Sequence, residues 1–354
     1  MRLLSRDMKT RIKHFVWKHK PFWRLYLRNL AVVAVVSMCS VFIACLDEDF
    51  STKVRGYVWK IDIKTLAEQY KDESSLYIDN TQADQLFQKV KVVCFILTTE
   101  GKLAGKSQIV NNTWARRCNK VLYVLCTKHR APDLLSTCSV GESKYHLTGK
   151  VRAAIKYSYQ HFINSYDWFL KADDDTYVIM ENLRYLLSHY PTDKAGYLGY
   201  HFKMHIDQGY MSGGAGYVIN KQALKQVVEQ GFQRDACLED GGDEDVEIGR
   251  CLEASGVQVF SSLDKYNRET FHTDKPWQHV WGIPPGYLNL YSQNGVGKGA
   301  DCCSQFTVSY HHVDAATMAF MEHMLYRTSV YGRHGLTNAT DVFPQRFHTR
   351  GRRG

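Results

Sequence analysis

Three apolar runs limit what this chain can fold into: VKVVCFILTT (residues 90–99), KVLYVLCT (120–127) and YDWFLKADDD (166–175). Their apolar residues are consecutive rather than alternating, so a half-exposed strand would leave many of them in water. Short, β-branched runs of this kind read as strands covered on both faces, the pattern of a central parallel sheet. Segments with helical spacing follow them. GKVRAAIKYSYQHFINS (149–165) places Val151, Ala154, Ile155, Tyr159 and Phe162 on one face, and NNTWARRC (111–118) and MENLRYLLSHY (180–190) read as two further helices. NKQALKQVVEQGF (220–232) opens on Asn220 as an N-cap and closes at Gly231. Strands alternating with helices predict an α/β domain with a mostly parallel central sheet.

The formal net charge of +9 suggests an anionic partner until it is located. Residues 1–28 hold nine Lys/Arg against one acid, Asp7, so +8 of the +9 lies there and about +1 remains for the rest. A nucleic-acid surface needs a basic face on the folded domain, and that surplus is missing. The basic block runs into LAVVAVVSMCSVFIACL (30–46), 17 residues without a charge, stopped by Asp47, Glu48 and Asp49. A cleaved signal peptide would have a shorter apolar core and a small-residue cleavage site. A buried core helix would not carry cations on one side and acids on the other. The run is expected to be a transmembrane signal anchor, with the positive end in the cytosol and the bulk of the chain across the membrane. The expected organisation is a cytoplasmic tail (1–29), the anchor (30–46), a stem (47–88), a catalytic domain (89–335) and a C-terminal tail (336–354).

Beyond the anchor eight cysteines remain, an even set without a CxxC pair, which in an oxidising lumen reads as disulfides. The adjacent Cys302 and Cys303 are expected to pair elsewhere rather than with each other. Sequons at Asn111-Asn112-Thr113 and Asn338-Ala339-Thr340 fit the same compartment.

Chemistry concentrates at the end of the third run, where Asp173, Asp174 and Asp175 stand side by side. In open α/β sheets ligands bind beyond the carboxyl ends of the strands. Carboxylates without thiolates suit a hard divalent cation, Mg²⁺ or Mn²⁺, which typically bridges nucleotide phosphates. GYMSGGAGYVI (209–219) places Gly213, Gly214 and Gly216 in a strand-like context, a sign of a ligand lying on the backbone or of a bulged edge strand. GGDEDVEIGRC (241–251) sets Glu244 and Asp245 before a short helix, either as helix-end acids or with one of them a general base. ETFH (269–272) offers His272 as a further metal ligand or as a structural histidine.

Taken with WARRCNK, CCS and VSYHHVD, these segments resemble, in order and spacing over roughly residues 88–330, the core 1 β1,3-galactosyltransferases. The resemblance implies a GT-A-type fold behind one transmembrane helix, in a type II Golgi membrane protein, with homodimers known in the family. It implies Mn²⁺ flanked by Asp173 and Asp175 with His272 as a third ligand, and Asp174 supporting the donor sugar. It implies Asp245 as the base that deprotonates the acceptor 3-hydroxyl, UDP-galactose as donor, and a glycoprotein carrying O-linked N-acetylgalactosamine as acceptor. Gly213 and Gly214 would lie near the donor sugar, Leu97 and Thr98 near uracil or ribose, and Arg116 or Arg117 on the nucleotide. Trp277, Trp281 and Tyr287 are the acceptor-site candidates. Two rivals share these features: a β1,3-glycosyltransferase with another donor or acceptor (fringe-like, or acting on glycolipid), and a non-catalytic chaperone relative. The intact acidic triplet argues against the chaperone.

Overall fold

The computed structural model describes residues 69–330 apart from 71, 75 and 77. The basic tail, the expected anchor, most of the expected stem and the sequon at Asn338 lie outside the described residues. Among the described residues no helix is long and apolar enough to cross a membrane.

The chain runs through α1 (Thr81–Lys89), β1 (Val92–Leu97), α2 (Lys106–Asn112), β2 (Lys120–Leu125), β3 (Leu134–Ser136) and α3 (Leu147–His161). The third apolar run becomes β4 (Trp168–Asp173), followed by the short β5 (Tyr177–Val178) and α4 (Met180–Leu187). Next come β6 (Gly196–Gly199), β7 (His201–Phe202), β8 (Tyr210–Met211), β9 (Tyr217–Asn220), α5 (Lys221–Glu229), α6 (Glu244–Ala254) and β10 (Gln258–Val259). The last described elements are α7 (Pro276–Val280), α8 (Leu288–Tyr291), β11 (Ser309–Tyr310) and α9 (Ala315–Tyr326).

Seven strands form one sheet in the order β10-β6-β9-β4-β1-β2-β3. β1 is parallel to β2 and β4, β2 to β3 and β6 to β10; β9 runs antiparallel to both its neighbours, β4 and β6. The expected α/β architecture with a mostly parallel sheet is therefore present. Every residue of β1 is buried, and its side chains alternate between two cores. Val92, Cys94 and Ile96 meet the apolar faces of α2, α4 and α9. Val93, Phe95 and Leu97 meet Val151, Ala154 and Ile155 of α3, Leu224 and Val227 of α5, and Ile248 and Leu252 of α6. Each large apolar side chain so buried contributes about 1.5–3 kcal/mol, which is why the run carries no polar alternation. At the start of α5 the Asn220 carboxamide oxygen accepts the Ala223 N–H at 2.8 Å, the expected N-cap. Gly231 follows that helix because a Cβ there would lie 2.6 Å from the Cys251 carbonyl oxygen.

Among the described residues four disulfides join Cys94 to Cys118, Cys126 to Cys138, Cys237 to Cys251 and Cys302 to Cys303. The last corrects the expectation that these neighbours pair elsewhere. Their Cα atoms are 3.7 Å apart, the ordinary spacing of adjacent residues, so the ring closes locally.

Arg116 and Arg117 are also placed differently from expectation. Both guanidiniums bind Glu322 of α9, at 3.1 and 2.7 Å, and Arg117 lies 3.6 Å over the Tyr326 ring. Glu322 is buried and also accepts the Tyr177 hydroxyl at 2.9 Å. The two arginines neutralise a buried carboxylate and tie α9 to the segment after α2. Arg117→Ala is accordingly expected to cost about 1.5–3 kcal/mol of stability while UDP affinity stays unchanged. Calorimetric titration of UDP beside thermal unfolding checks this; a lost affinity at full stability would return the arginine to the nucleotide.

Glu269 is a second buried carboxyl, with a different environment. Asn294 Nδ2 donates to its Oε1 at 3.0 Å, and Oε2 has no hydrogen-bond partner among the described residues. Burial pushes its pKa from 4.5 up to about 8. The folded state thus holds a proton that the unfolded chain has lost, so stability is fullest below about pH 4.5 and drains away as pH rises to about 8. Glu269→Gln should match the parent near pH 4.5 and exceed it at pH 8.5 by about 1–3 kcal/mol. An equal offset at both pH values in thermal unfolding would exclude this carboxyl as the source.

Candidate active site

The site lies at the carboxyl edge of the sheet, where Leu97 of β1 stands in register with Asp173 of β4. A tight turn follows, with the Thr176 N–H donating to the Asp173 carbonyl at 3.1 Å. This turn sends the three consecutive carboxylates in three directions. Asp173 still obeys strand alternation, so it shares a face with Lys171 and lies 2.8 Å from its Nζ. Asp174 is buried and accepts the Thr98 hydroxyl at 2.9 Å and Lys102 Nζ at 3.0 Å. Asp175 turns away from both, toward the histidines that follow β11.

Those histidines are brought in by pairing across the fold. β11 lies antiparallel to β5, and the Val313 N–H donates to the Asp175 carbonyl at 2.8 Å. His311 Nε2 then sits 3.3 Å from Asp175 Oδ1, and His312 Nδ1 lies 3.9 Å from Oδ2. One ligand atom from each of the three residues falls within 4.8 Å of the others. His311 Nδ1 is 3.2 Å from the Thr273 carbonyl. A carbonyl only accepts, so Nδ1 donates to it and Nε2 is the ring atom that faces the carboxylate. A positive centre, a proton or a metal ion, fits between Nε2 and the carboxylate oxygen. Carboxylate and imidazole donors in this grouping fit a divalent cation. Burial alone would raise the Asp175 carboxyl, but the His311 hydrogen bond and the positive charge of His311, Lys106 and His312 hold it down at about 2.

His272 does not join this group. It is buried, stacks on Tyr310 with ring centroids 4.6 Å apart, and places Nε2 3.3 Å from the Thr307 hydroxyl. Burial, with His279 beside it, holds its pKa well below the usual histidine range. Its segment supports the site through the Thr273 carbonyl instead. Asp173 is likewise turned to Lys171, and the carboxylate and imidazole atoms that gather within 4.8 Å of one another are those of Asp175, His311 and His312. The doublet in VSYHHVD was the available signal. A reading strand by strand cannot find it, because β5 and β11 are joined only in the folded chain.

Asp245, in the first turn of α6, accepts the Gly213 N–H on Oδ2 and its neighbour's Val246 N–H on Oδ1, each at 2.9 Å. Burial raises its pKa against the lowering effect of the Gly213 N–H and Lys171. The glycine pair touches both halves of the site. A Cβ at Gly213 would lie 2.8 Å from Glu244 Oε2, and one at Gly214 would lie 2.1 Å from His311 Cε1. The glycines are therefore required by the protein's own packing, whatever lies on them. Gly214→Ala should displace the His311 ring and raise the metal concentration for half-maximal activity about 10- to 100-fold. An unchanged metal titration of the folded variant would remove His311 from the ligand set.

Beside Asp175 opens a cavity of about 410 Å³ lined by Lys106, Asp274, Lys275, Gln278 and His312 among others. Trp277 is half-buried next to it, with Lys275 Nζ 5.5 Å from its ring. Trp281 is 70% exposed, and Tyr287 is 46% exposed with its ring 6.0 Å from Tyr291. Leu97 and Thr98 are both buried, Leu97 in the core and Thr98 on Asp174. Neither side chain presents an exposed face.

The Fringe-like family matches residues 92–324, from the first residue of β1 into α9. The chain belongs to the Fringe-like family. Within it, the chain is 38% identical over 259 residues to the Xenopus laevis glycoprotein-N-acetylgalactosamine 3-beta-galactosyltransferase 1, covering 72% of this chain and 71% of that one. The mouse beta-1,3-glucosyltransferase is 25% identical over 56% of this chain, which spans only 39% of that protein. The human chondroitin sulfate synthase 3 is 30% identical over 51% of this chain and is matched over 23% of its own length. The Asp175–His311–His312 group, Asp245 and the glycine pair all fall inside the Fringe-like region.

Proposed function

We propose that the protein is a metal-dependent, inverting β1,3-galactosyltransferase of GT-A type. It would transfer galactose from UDP-galactose to the 3-hydroxyl of N-acetylgalactosamine O-linked to Ser or Thr of glycoproteins. The observation that carries this reading is one glycine pair that leaves room for His311 of a carboxylate–histidine group on one side and holds the half-buried Asp245 carboxylate by a backbone N–H on the other. It is supported by the likeness to the Xenopus galactosyltransferase over most of both chains.

Asp175, His311 and His312 would hold Mn²⁺, which when bound offsets the negative charge gathering on a departing diphosphate. Lys106 and Lys275, on the cavity wall beside Asp175, add fixed positive charge along the same path. Asp245 takes the acceptor proton. As the acceptor O3 forms its bond to the sugar C1, the C1–O bond to the diphosphate breaks and its electron pair leaves with UDP. The O3 proton passes to a carboxylate oxygen of Asp245. Each oxygen already accepts one backbone N–H, so the group is aimed yet keeps a free lone pair. Its raised pKa favours proton uptake, as a general base requires. The α-linked donor yields a β-linked product without a covalent intermediate. The exposed rings of Trp281 and Tyr287, with the half-buried Trp277, would offer faces on which an acceptor sugar can lie.

On this reading the domain works in the Golgi lumen, anchored by residues 30–46. The four disulfides support an oxidising compartment. The test supplies the purified full chain in detergent with Mn²⁺ and a peptide bearing α-linked N-acetylgalactosamine. UDP-galactose should add one hexose by mass spectrometry, chelator should abolish it, and UDP-glucose should not replace it. Folded protein that binds UDP but adds no sugar from UDP-galactose would overturn the donor assignment.

A further inference from the structure

Beneath the glycine pair lies a charged cluster to which the mechanism above gives no role. Lys171 of β4 is almost wholly buried, with 1% of its surface exposed. An ammonium has three N–H donors and here meets three acceptors: Asp173 Oδ1 at 2.8 Å, the Gly213 carbonyl at 2.9 Å and Glu244 Oε2 at 3.3 Å. Glu244 is buried as well and is held from its other side by the Tyr217 hydroxyl at 2.6 Å. Tyr217 is the cross-strand partner of Lys171 in the β4–β9 pair. Burial alone would strip the proton from Lys171, but the Asp173 and Glu244 carboxylates keep it charged.

The two peptide groups that meet at Gly213 are therefore each gripped. The Gly213 carbonyl accepts from Lys171, and the Gly213 N–H donates to Asp245 Oδ2. A side chain at Gly213 would also crowd Lys171 Nζ, at 3.3 Å. The backbone at Gly213, and with it the aim of Asp245, is set by where the ammonium stands.

We infer that Lys171 is a positioning residue for the transfer reaction: through the backbone at Gly213 it fixes Asp245 relative to the strand end that carries the acidic triplet. The inference rests on the reading of Asp245 as the base. A buried ion pair alone would need only charge balance, which a variant can supply in another way. A misplacement of about 1 Å in a reacting group costs on the order of 10²-fold in rate.

Removing the ammonium alone would strand the buried Glu244 carboxylate and leave the part-exposed Asp173 unpaired, so the informative protein is the double variant Lys171→Met/Glu244→Gln. It removes one positive and one negative charge and keeps a carboxamide oxygen to accept from Tyr217. The full chain is assayed for thermal unfolding, UDP affinity with Mn²⁺, and kcat and KM for donor and acceptor. The expected result is a melting temperature near the parent's, unchanged UDP affinity and donor KM, and a kcat lower by about 10- to 100-fold. A folded double variant with the parent's kcat overturns the inference and leaves Lys171 a structural ion. If the double variant does not fold, Lys171→Arg decides. It keeps the charge but presents a planar fork of donors, so a fall in kcat at constant donor KM supports positioning and an unchanged kcat refutes it. Asp245→Asn is run alongside. If it retains turnover, the base assignment has failed; if it loses turnover while the Lys171 variants keep theirs, only the positioning role has failed.

Discussion

Asp175→Asn is expected to lower transfer by at least about 10³-fold, several kcal/mol of barrier, in a protein that still folds. Asparagine keeps the shape of the side chain and one carbonyl oxygen, so the turn after β4 and the β5–β11 pairing survive. What is lost is the negative charge in a group of one carboxylate and two imidazoles, the single anion that would attract a divalent cation there. Without it His311 still points Nε2 at the site, held by the Thr273 carbonyl, but no anion remains in the group. The loss should therefore appear chiefly as a raised metal requirement, partly recovered at high Mn²⁺. Far-ultraviolet circular dichroism with a Mn²⁺ titration of the rate separates this from misfolding. A parental rate at ordinary Mn²⁺ would mean that the metal, if any, is bound elsewhere.

Asp245→Asn should act at a different step. General bases contribute about 10²–10⁴-fold, and Asp245 lies on the Gly213 side of the site rather than at the cavity beside Asp175. Turnover should fall by about that factor while UDP affinity in the presence of Mn²⁺ stays at the parental value. The carboxamide oxygen can still accept one of the two N–H bonds that fix the side chain, and the amide nitrogen faces the other. A small loss of stability is thus expected beside the large loss of rate. Equal losses of UDP affinity and turnover would show that the substitution disturbed the site as a whole and would leave the base unassigned.

The two variants together test whether the acids of this chain divide their labour as their environments indicate. Asp175 is held at about 2 by the histidines and Lys106, so it is ionised throughout the physiological range. Asp245 is pushed the other way by burial, toward readier proton uptake. Such opposed environments for neighbouring acids are how one site keeps a charge and also moves a proton.

Local features of the chain were enough for the scaffold. Run length and β-branching in 90–99 and 120–127 specify strands covered on both faces, because nothing else buries consecutive apolar side chains in so few residues. The triplet after the third run specifies a polar strand end, and Asn220 specifies a helix start through its own side chain. Each depends on neighbours in sequence. Side-chain direction at the site does not. Asp173, Asp174 and Asp175 are alike on paper and part company because the first still follows the strand and the last follows a turn. His311 is a candidate ligand and His272 is not, because the β5–β11 pairing delivers one to Asp175 while Tyr310 covers the other. Arg116 and Arg117 go to Glu322 because α9 packs against α2 and brings the carboxylate to the segment that follows it. Residue type and spacing determined the strands, the helix starts and the kind of chemistry on offer. Tertiary packing alone decided which acids and which histidines share it, since those contacts join segments that only the closed sheet brings together.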